Sequence, residues 1–302
     1  MNRSFAFILF ILTVAFSVPV SAASDASPLV SVAWLKANMG KPGLVLLDTR
    51  GRTDFRGAHI PGSVTTEFGG KTGWRVNKGG VRGMLPDIPY LENLIGSLGI
   101  GDEDRVILIP GGFGAGEVAK AARIYWTLKV LGHDKVSILQ GGLVAWEQSK
   151  NPLVKGDAVP VRKVFNARFR PELLATTKDV ENAIKTGTTL IDSRSNDQFL
   201  GITKSGSIKR AGTLPGAKNV PGVWLTVNDG GVFRDTESLR RLYKLAGVKT
   251  DGPTIMFCNT GHWASIGWFV NSELLGNKET KLYDGSLAEW TLDPKRPVVK
   301  AF

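Results

Sequence analysis

Short apolar runs alternate along this chain with stretches whose apolar positions recur every three or four residues. In the second half the runs fall at 189–192, 218–220, 254–257 and 281–283, and amphipathic stretches lie between them at 178–184, 236–245 and 264–275. The runs are too short for core helices and suit strands covered on both faces. Strands and helices in alternation predict an α/β fold with a mostly parallel sheet. Pro152, Pro160 and Pro171 interrupt any periodicity among Lys and Arg, so a linker is expected over 156–171.

The pattern occurs twice. Leu46-Leu47-Asp48-Thr49-Arg50 recurs as Leu190-Ile191-Asp192-Ser193-Arg194, and Ile60-Pro61-Gly62-Ser63 returns as Leu214-Pro215-Gly216-Ala217. Leu98-Gly99-Ile100 is answered by Ala246-Gly247-Val248, Leu131-Gly132 by Leu275-Gly276, and Gly141-Gly142 with Trp146 by Gly285-Ser286 with Trp290. A repeat this long means duplicated domains, not a solenoid. They are expected at 24–155 and 172–302, each large enough for its own core.

The first 23 residues read differently. Arg3 precedes an uncharged apolar run over 4–20, and Ser21-Ala22-Ala23 offers small residues for cleavage. That is the pattern of an export signal, so a periplasmic or secreted protein is expected, with no membrane attachment after cleavage. The formal net charge of +11 favours anionic ligands, but Lys and Arg are dispersed and no finger or basic-helix motif occurs, so no nucleic-acid partner is expected. A single cysteine in an exported chain cannot form an internal disulfide; Cys258 is therefore either a core filler or a working thiol.

Its surroundings favour the second. The run 254–257 ends at Cys258, and Asn259-Thr260-Gly261-His262-Trp263 leads into the following helix, the usual ligand position of an open α/β sheet. Inward-facing amides and the helix dipole would stabilise a thiolate there, leaving Cys258 exposed in an anion-binding cradle. Aligning 107–109 with 255–257 puts Pro110 opposite Cys258, so the first domain lacks a nucleophile. Its loop over 111–116 is Gly-rich without the Gly-Lys-Ser/Thr of a phosphate loop.

Cys258-x-x-Gly261 with the tail over 282–290 resembles the tandem-domain thiosulfate and 3-mercaptopyruvate sulfurtransferases, the rhodanese family. His59-Ile60-Pro61-Gly62, Gly83-Met84-Leu85-Pro86 and Asp192-Ser193-Arg194 are similar to further segments of that family, and the likeness extends over about 29–291. It implies two rhodanese-like domains, each a parallel five-stranded sheet flanked by helices, with the active site in the second. It further implies a persulfide on Cys258, a small anionic sulfur donor, and a cyanide or thiol acceptor, a protein thiol included, without metal or organic cofactor. Thiosulfate is the donor expected first, 3-mercaptopyruvate the alternative, and a non-catalytic persulfide carrier the reading from another class. A related phosphatase loop would end in Arg, and none follows here.

Arg194 is read either as the holder of a sulfonate or as an ion pair fixing its strand end. Asp192 would orient Arg194 or the loop backbone. His262 is read as a source of a proton or positive charge near neutral pH, or as a residue ordering its neighbours. Trp263 would wall the pocket or pack a helix start, and His59 would face the domain interface or support its turn. Asn259 and Thr260 are neutral where the family carries basic or small residues, and Gln198 stands where a second basic residue is usual.

Overall fold

The structure is a computed structural model that describes residues 27–302, so the expected export signal lies outside the described residues. Two five-stranded parallel sheets form its centre. The first contains β1 (Leu29–Val30), β2 (Leu44–Asp48) and β3 (Ser63–Thr65). A separate antiparallel hairpin, β4 (Val76–Lys78) and β5 (Val81–Met84), precedes its remaining strands β6 (Arg105–Ile109) and β7 (Val136–Leu139). The second sheet contains β8 (Leu174–Ala175), β9 (Thr189–Asp192), β10 (Lys218–Asn219), β11 (Thr254–Phe257) and β12 (Thr280–Tyr283).

The strand orders are β1-β7-β6-β2-β3 and β8-β12-β11-β9-β10, the same path traced twice. The duplication in the sequence is thus a duplication of topology. The central strands β6 and β11 are buried along their whole length, as strands covered on both faces must be. The expected strand 218–220 stops at Asn219, whose side-chain amide donates to the carbonyls of Asp192 and Arg194 at 2.9 Å each.

The helix expected over 264–275 begins earlier, at His262, because Gly261 takes the left-handed conformation (φ 74°) that opens it. From Phe269 to Leu274 it widens into a π-turn, closed by Leu275 N–H donating to Val270 C=O at 2.8 Å. Between the domains the helix Ala115–Val130 packs along His262–Trp268. One buried apolar cluster therefore crosses the boundary, with Val118, Ala122 and Trp126 from one side and Met256, Ala264 and Trp268 from the other. Residues 157–170 have no regular structure and run against the first domain, where Lys163, Arg168 and Arg170 donate backbone hydrogen bonds to Gly96, Leu131 and Val130.

Candidate active site

Cys258 follows the central strand β11, and the loop after it is fastened from behind. Leu287 N–H donates to Cys258 C=O at 3.1 Å and Ala288 N–H to Asn259 C=O at 2.9 Å. The hydroxyl of Ser286 accepts from the N–H groups of Cys258 (3.1 Å) and Gly261 (3.2 Å), and donates to Tyr283 C=O at 2.8 Å. Ser286 sits at φ 49°, a conformation costly for a residue with a Cβ. The first domain repeats the two backbone bonds, Leu143 to Pro110 and Val144 to Gly111, but carries Gly142 where the second has Ser286. Where the repeat has lost its nucleophile, the hydroxyl is missing too.

Two expectations are corrected here. Not all the loop amides face the sulfur, since those of Cys258 and Gly261 are taken by Ser286. Nor is the thiol exposed: Cys258 is 1% accessible and packs within the buried cluster that includes Ile191, Met256 and Ala264. The strand end is central in its sheet, and the first domain closes on the loop. Arg75 does this directly, its Nη2 donating to Thr260 C=O and its Nε to Gly83 C=O at 2.9 Å. Its guanidinium lies 5.3 Å from the centre of the Phe68 ring.

Burial and the nearby charge of Arg123 lower the pKa of Arg75 to about 10, while electrostatic interaction with Cys258 and Asp284 acts in the opposite sense. Arg75 remains cationic at neutral pH and lies within the electrostatic reach of the sulfur. Next to it is a cleft of about 420 Å³ lined from the first domain by Phe68, Arg75, Asn77 and Arg82 and from the second by Ser205, Ser207 and Thr260. The cationic side of the site comes from the domain without a nucleophile.

Gly261 has a steric reason for its identity beyond its φ. A Cβ there would stand 2.6 Å from Nη1 of Arg123 and 2.8 Å from the carbonyl of Asp284. Arg123, fully buried on the helix Ala115–Val130, forms an ion pair with Asp284 at 2.5 Å, and the other oxygen of Asp284 accepts from Leu85 N–H at 2.6 Å. This pair joins the two domains directly behind the cysteine loop.

The sulfonate role for Arg194 is corrected. Both Arg194 and Asp192 are fully buried as a pair, with Nη2 to Oδ2 at 2.6 Å, Nε to Oδ1 at 2.9 Å, and Nη2 donating again to Gly212 C=O at 2.8 Å. Arg50 and Asp48 repeat this geometry in the first domain, Nη2 reaching Asp48 at 2.7 Å and Ala58 C=O at 2.6 Å. A clamp present in the domain without a cysteine holds a strand end and its following loop. Asp192 therefore orients Arg194. Gln198 accepts from the Asn259 side chain at 2.8 Å, so the neutral residue in the family's basic position braces a neutral loop residue.

His262 is also corrected as a source of charge. Burial, reinforced by Arg75 and Arg123, pushes its pKa down to about 3, so the ring is neutral near pH 7. It meets the Phe68 ring edge-on at 5.4 Å, which orders the interface. Trp263 lies against Gly116 and Gly222; a Cβ on Gly222 would approach it to 2.5 Å, so it packs the helix start and does not wall an open pocket. His59 is buried on Phe55, with ring centres 3.7 Å apart and Nδ1 2.8 Å from Phe55 C=O, while its backbone pairs with Val154. It supports its turn within the first domain.

Arg75, Arg82, Arg123 and Ser286 were not singled out by sequence reasoning. For Ser286 a signal existed: a Ser replacing the second Gly of a repeated Gly-Gly turn. No metal-binding group of His, Cys, Asp and Glu occurs among the described residues.

The profile described as Rhodanese-like domain matches residues 31–149 and again 176–293. A Saccharopolyspora erythraea protein named "Putative thiosulfate sulfurtransferase" is 34% identical over 272 residues, covering 87% of this chain and 92% of its own. A Mycobacterium tuberculosis protein of the same name is 34% identical over 280 residues, with 87% and 94% covered. The crystal structure of SseA from Escherichia coli, described with the rhodanese fold and catalytic mechanism of 3-mercaptopyruvate sulfotransferases, superposes with a TM-score of 0.73 at 27% identity. It covers 86% of this chain and 99% of that one.

Proposed function

The chain belongs to the rhodanese family as a two-domain sulfurtransferase, and from that premise we propose that Cys258 carries sulfane sulfur from thiosulfate to a thiol or cyanide acceptor. The observation that carries the reading is the lone cysteine at the end of the central strand, fastened by Ser286 and lying in the field of Arg75. In the first half-reaction the Cys258 thiolate attacks the outer sulfur of thiosulfate, the S–S bond of the donor breaks, and sulfite leaves with the bonding pair. In the second, an acceptor nucleophile takes the outer sulfur of the persulfide and Cys258 returns as thiolate. Atoms and charges balance without an added oxidant, metal or organic cofactor.

Arg75 and the loop amides left free by Ser286 offset the negative charge that moves between donor and sulfur. The 3-mercaptopyruvate reading keeps the same cysteine and is supported by the likeness to the Escherichia coli structure. Export to the periplasm or beyond is part of the proposal and rests on the sequence over 1–23. Intact mass after incubation with thiosulfate tests the reading. One added sulfur, located on Cys258 and accompanied by free sulfite, is expected. An unmodified chain that instead gains sulfur from 3-mercaptopyruvate reverses the order of donors, and a chain that gains none from either ends the proposal.

Ser286→Gly gives a second expected outcome, because glycine keeps the left-handed turn and removes only the hydroxyl. Relief of about 1 kcal/mol of backbone strain offsets part of the three lost hydrogen bonds, so stability should fall by no more than about 1–3 kcal/mol. Sulfur-transfer turnover should fall about tenfold or more, since the loop loses the anchor that fixes the thiol. Denaturation midpoints and turnover measured together separate the effects; turnover within twofold of wild type would show the hydroxyl to be dispensable.

A further inference from the structure

A sulfur donor has to bring its reacting atom within about 3–3.5 Å of the Cys258 thiolate. Cys258 is nonetheless only 1% accessible, and the neighbouring cleft is lined by Thr260 but not by the cysteine. Something over the loop has to move, and most of its surroundings are fixed. β11 is central in its sheet, Ser286, Leu287 and Ala288 hold the loop from behind, and the helix His262–Trp268 packs on the helix Ala115–Val130. The hairpin β4–β5 is different. It pairs with neither five-stranded sheet, and a two-stranded ribbon is only marginally stable by itself. Asn77, Lys78, Gly79, Gly80 and Arg82 are exposed, and the ladder is irregular between Val76 and Lys78. The chain is pinned on either side of the hairpin. Trp74 is fully buried, with Nε1 donating to Thr66 Oγ1 at 2.9 Å, and Leu85 N–H donates to Asp284 at 2.6 Å.

We propose that residues 75–84 form a lid over the cysteine loop, latched by Arg75 and clasped by Val81, and that the donor reaches Cys258 when this lid lifts. The latch is the bond from Arg75 to Thr260 C=O, made across the domain boundary two residues from the nucleophile. Gly83, at φ 80°, makes room for it, because a Cβ there would overlap the guanidinium. The clasp is Val81, 4% accessible, which with half-buried Met84 joins the apolar cluster of the second domain that includes Ile208, Leu214 and Phe257. An anionic donor offers Arg75 a charged, bidentate partner in place of a neutral carbonyl, so its binding favours the released latch. The closed lid in turn keeps water from a loaded sulfur. The lid serves the sulfurtransferase reading, on which this proposal rests, but its opening is measured without sulfur transfer.

The test is alkylation of Cys258 by iodoacetamide, a small neutral reagent, followed by intact mass. Rates are read on the high-pH plateau, where the thiol is ionised and the rate reports access alone. With the open state populated at about 1%, the wild type should react about a hundredfold more slowly than free cysteine. Val81→Ala removes methyl groups packed only in the closed state and should raise the rate about tenfold. Val180→Ala, in the same cluster but on the helix Thr177–Thr186, should leave it within twofold. Hydrogen exchange of the wild type gives a second measurement that needs no variant: amides of 76–84 should exchange at least about tenfold faster than those of β11 and β12. A wild-type rate equal to that of free cysteine, equal acceleration by the two variants, no acceleration by Val81→Ala, or exchange of the hairpin no faster than the sheet overturns the lid. Acceleration by Val81→Ala alone, in a chain that takes no sulfur from any donor, keeps the lid and overturns the sulfurtransferase reading.

Discussion

Cys258→Ser is expected to reduce thiosulfate:cyanide turnover by at least about a thousandfold, the scale on which loss of a covalent nucleophile is felt. The oxygen has nearly the place of the sulfur but neither ionises near neutral pH nor forms a stable bond to sulfane sulfur. No other cysteine exists in the chain to replace it. Because the site lies within a buried apolar cluster, the hydroxyl also costs about 1–3 kcal/mol unless it finds a partner. Cys258→Ala, which adds no polar group, is therefore measured beside it. Both variants should be inactive and neither should gain sulfur, while their stabilities differ. Turnover in Cys258→Ala within tenfold of wild type would remove the cysteine from the mechanism. A wild-type chain that loads sulfur yet turns over neither thiosulfate nor 3-mercaptopyruvate would instead be the carrier.

The parts of this protein that could be read in advance are those encoded over short distances. The run 254–257 became β11 with the same bounds because a β-branched Thr and three apolar residues, all buried, suit a strand covered on both faces. The doubling of Asp-x-Arg and Pro-Gly segments foretold the doubled strand order, since each is tied to a particular strand end. The role of Arg194 was not settled by the same means. A guanidinium at a strand end suits a ligand or an ion pair equally, and only the matching Asp48–Arg50 pair in the other domain decides for the clamp. The cationic wall was hidden for a different reason. Arg75 reaches Thr260 across 185 positions, and Arg123 reaches Gly261 across 138, so neither contact leaves a local periodicity or spacing. Burial of the thiol had the same origin, because the first domain that closes on the loop is far away in sequence.

Asp284→Asn should destabilise the protein by about 3–5 kcal/mol, the cost of leaving one member of a buried ion pair without its counter-charge. Arg123 has no accessible side-chain surface and Asp284 only 4%, so water cannot take the place of the lost carboxylate charge. The guanidinium would keep its contact with the Trp126 ring, 4.6 Å from its centre, but that cannot replace a carboxylate at 2.5 Å. Its remaining bonds to Gly261 and Gly83 are long, 3.5 Å each. The same change also weakens the charge complementarity at Leu85 N–H, where the first domain meets the tail of β12. Loss should therefore appear in two measurements: a lower urea midpoint and slower loading of sulfur from thiosulfate, because Arg123 stands behind Gly261. A double variant, Arg123→Met with Asp284→Leu, separates the charge from the packing. If the pair fixes position and adds little net stability, the double variant recovers most of the midpoint while loading remains slow. A single Asp284→Asn chain with an unchanged midpoint would mean that the domains do not depend on this pair, and the buried arginine would then need another counter-charge.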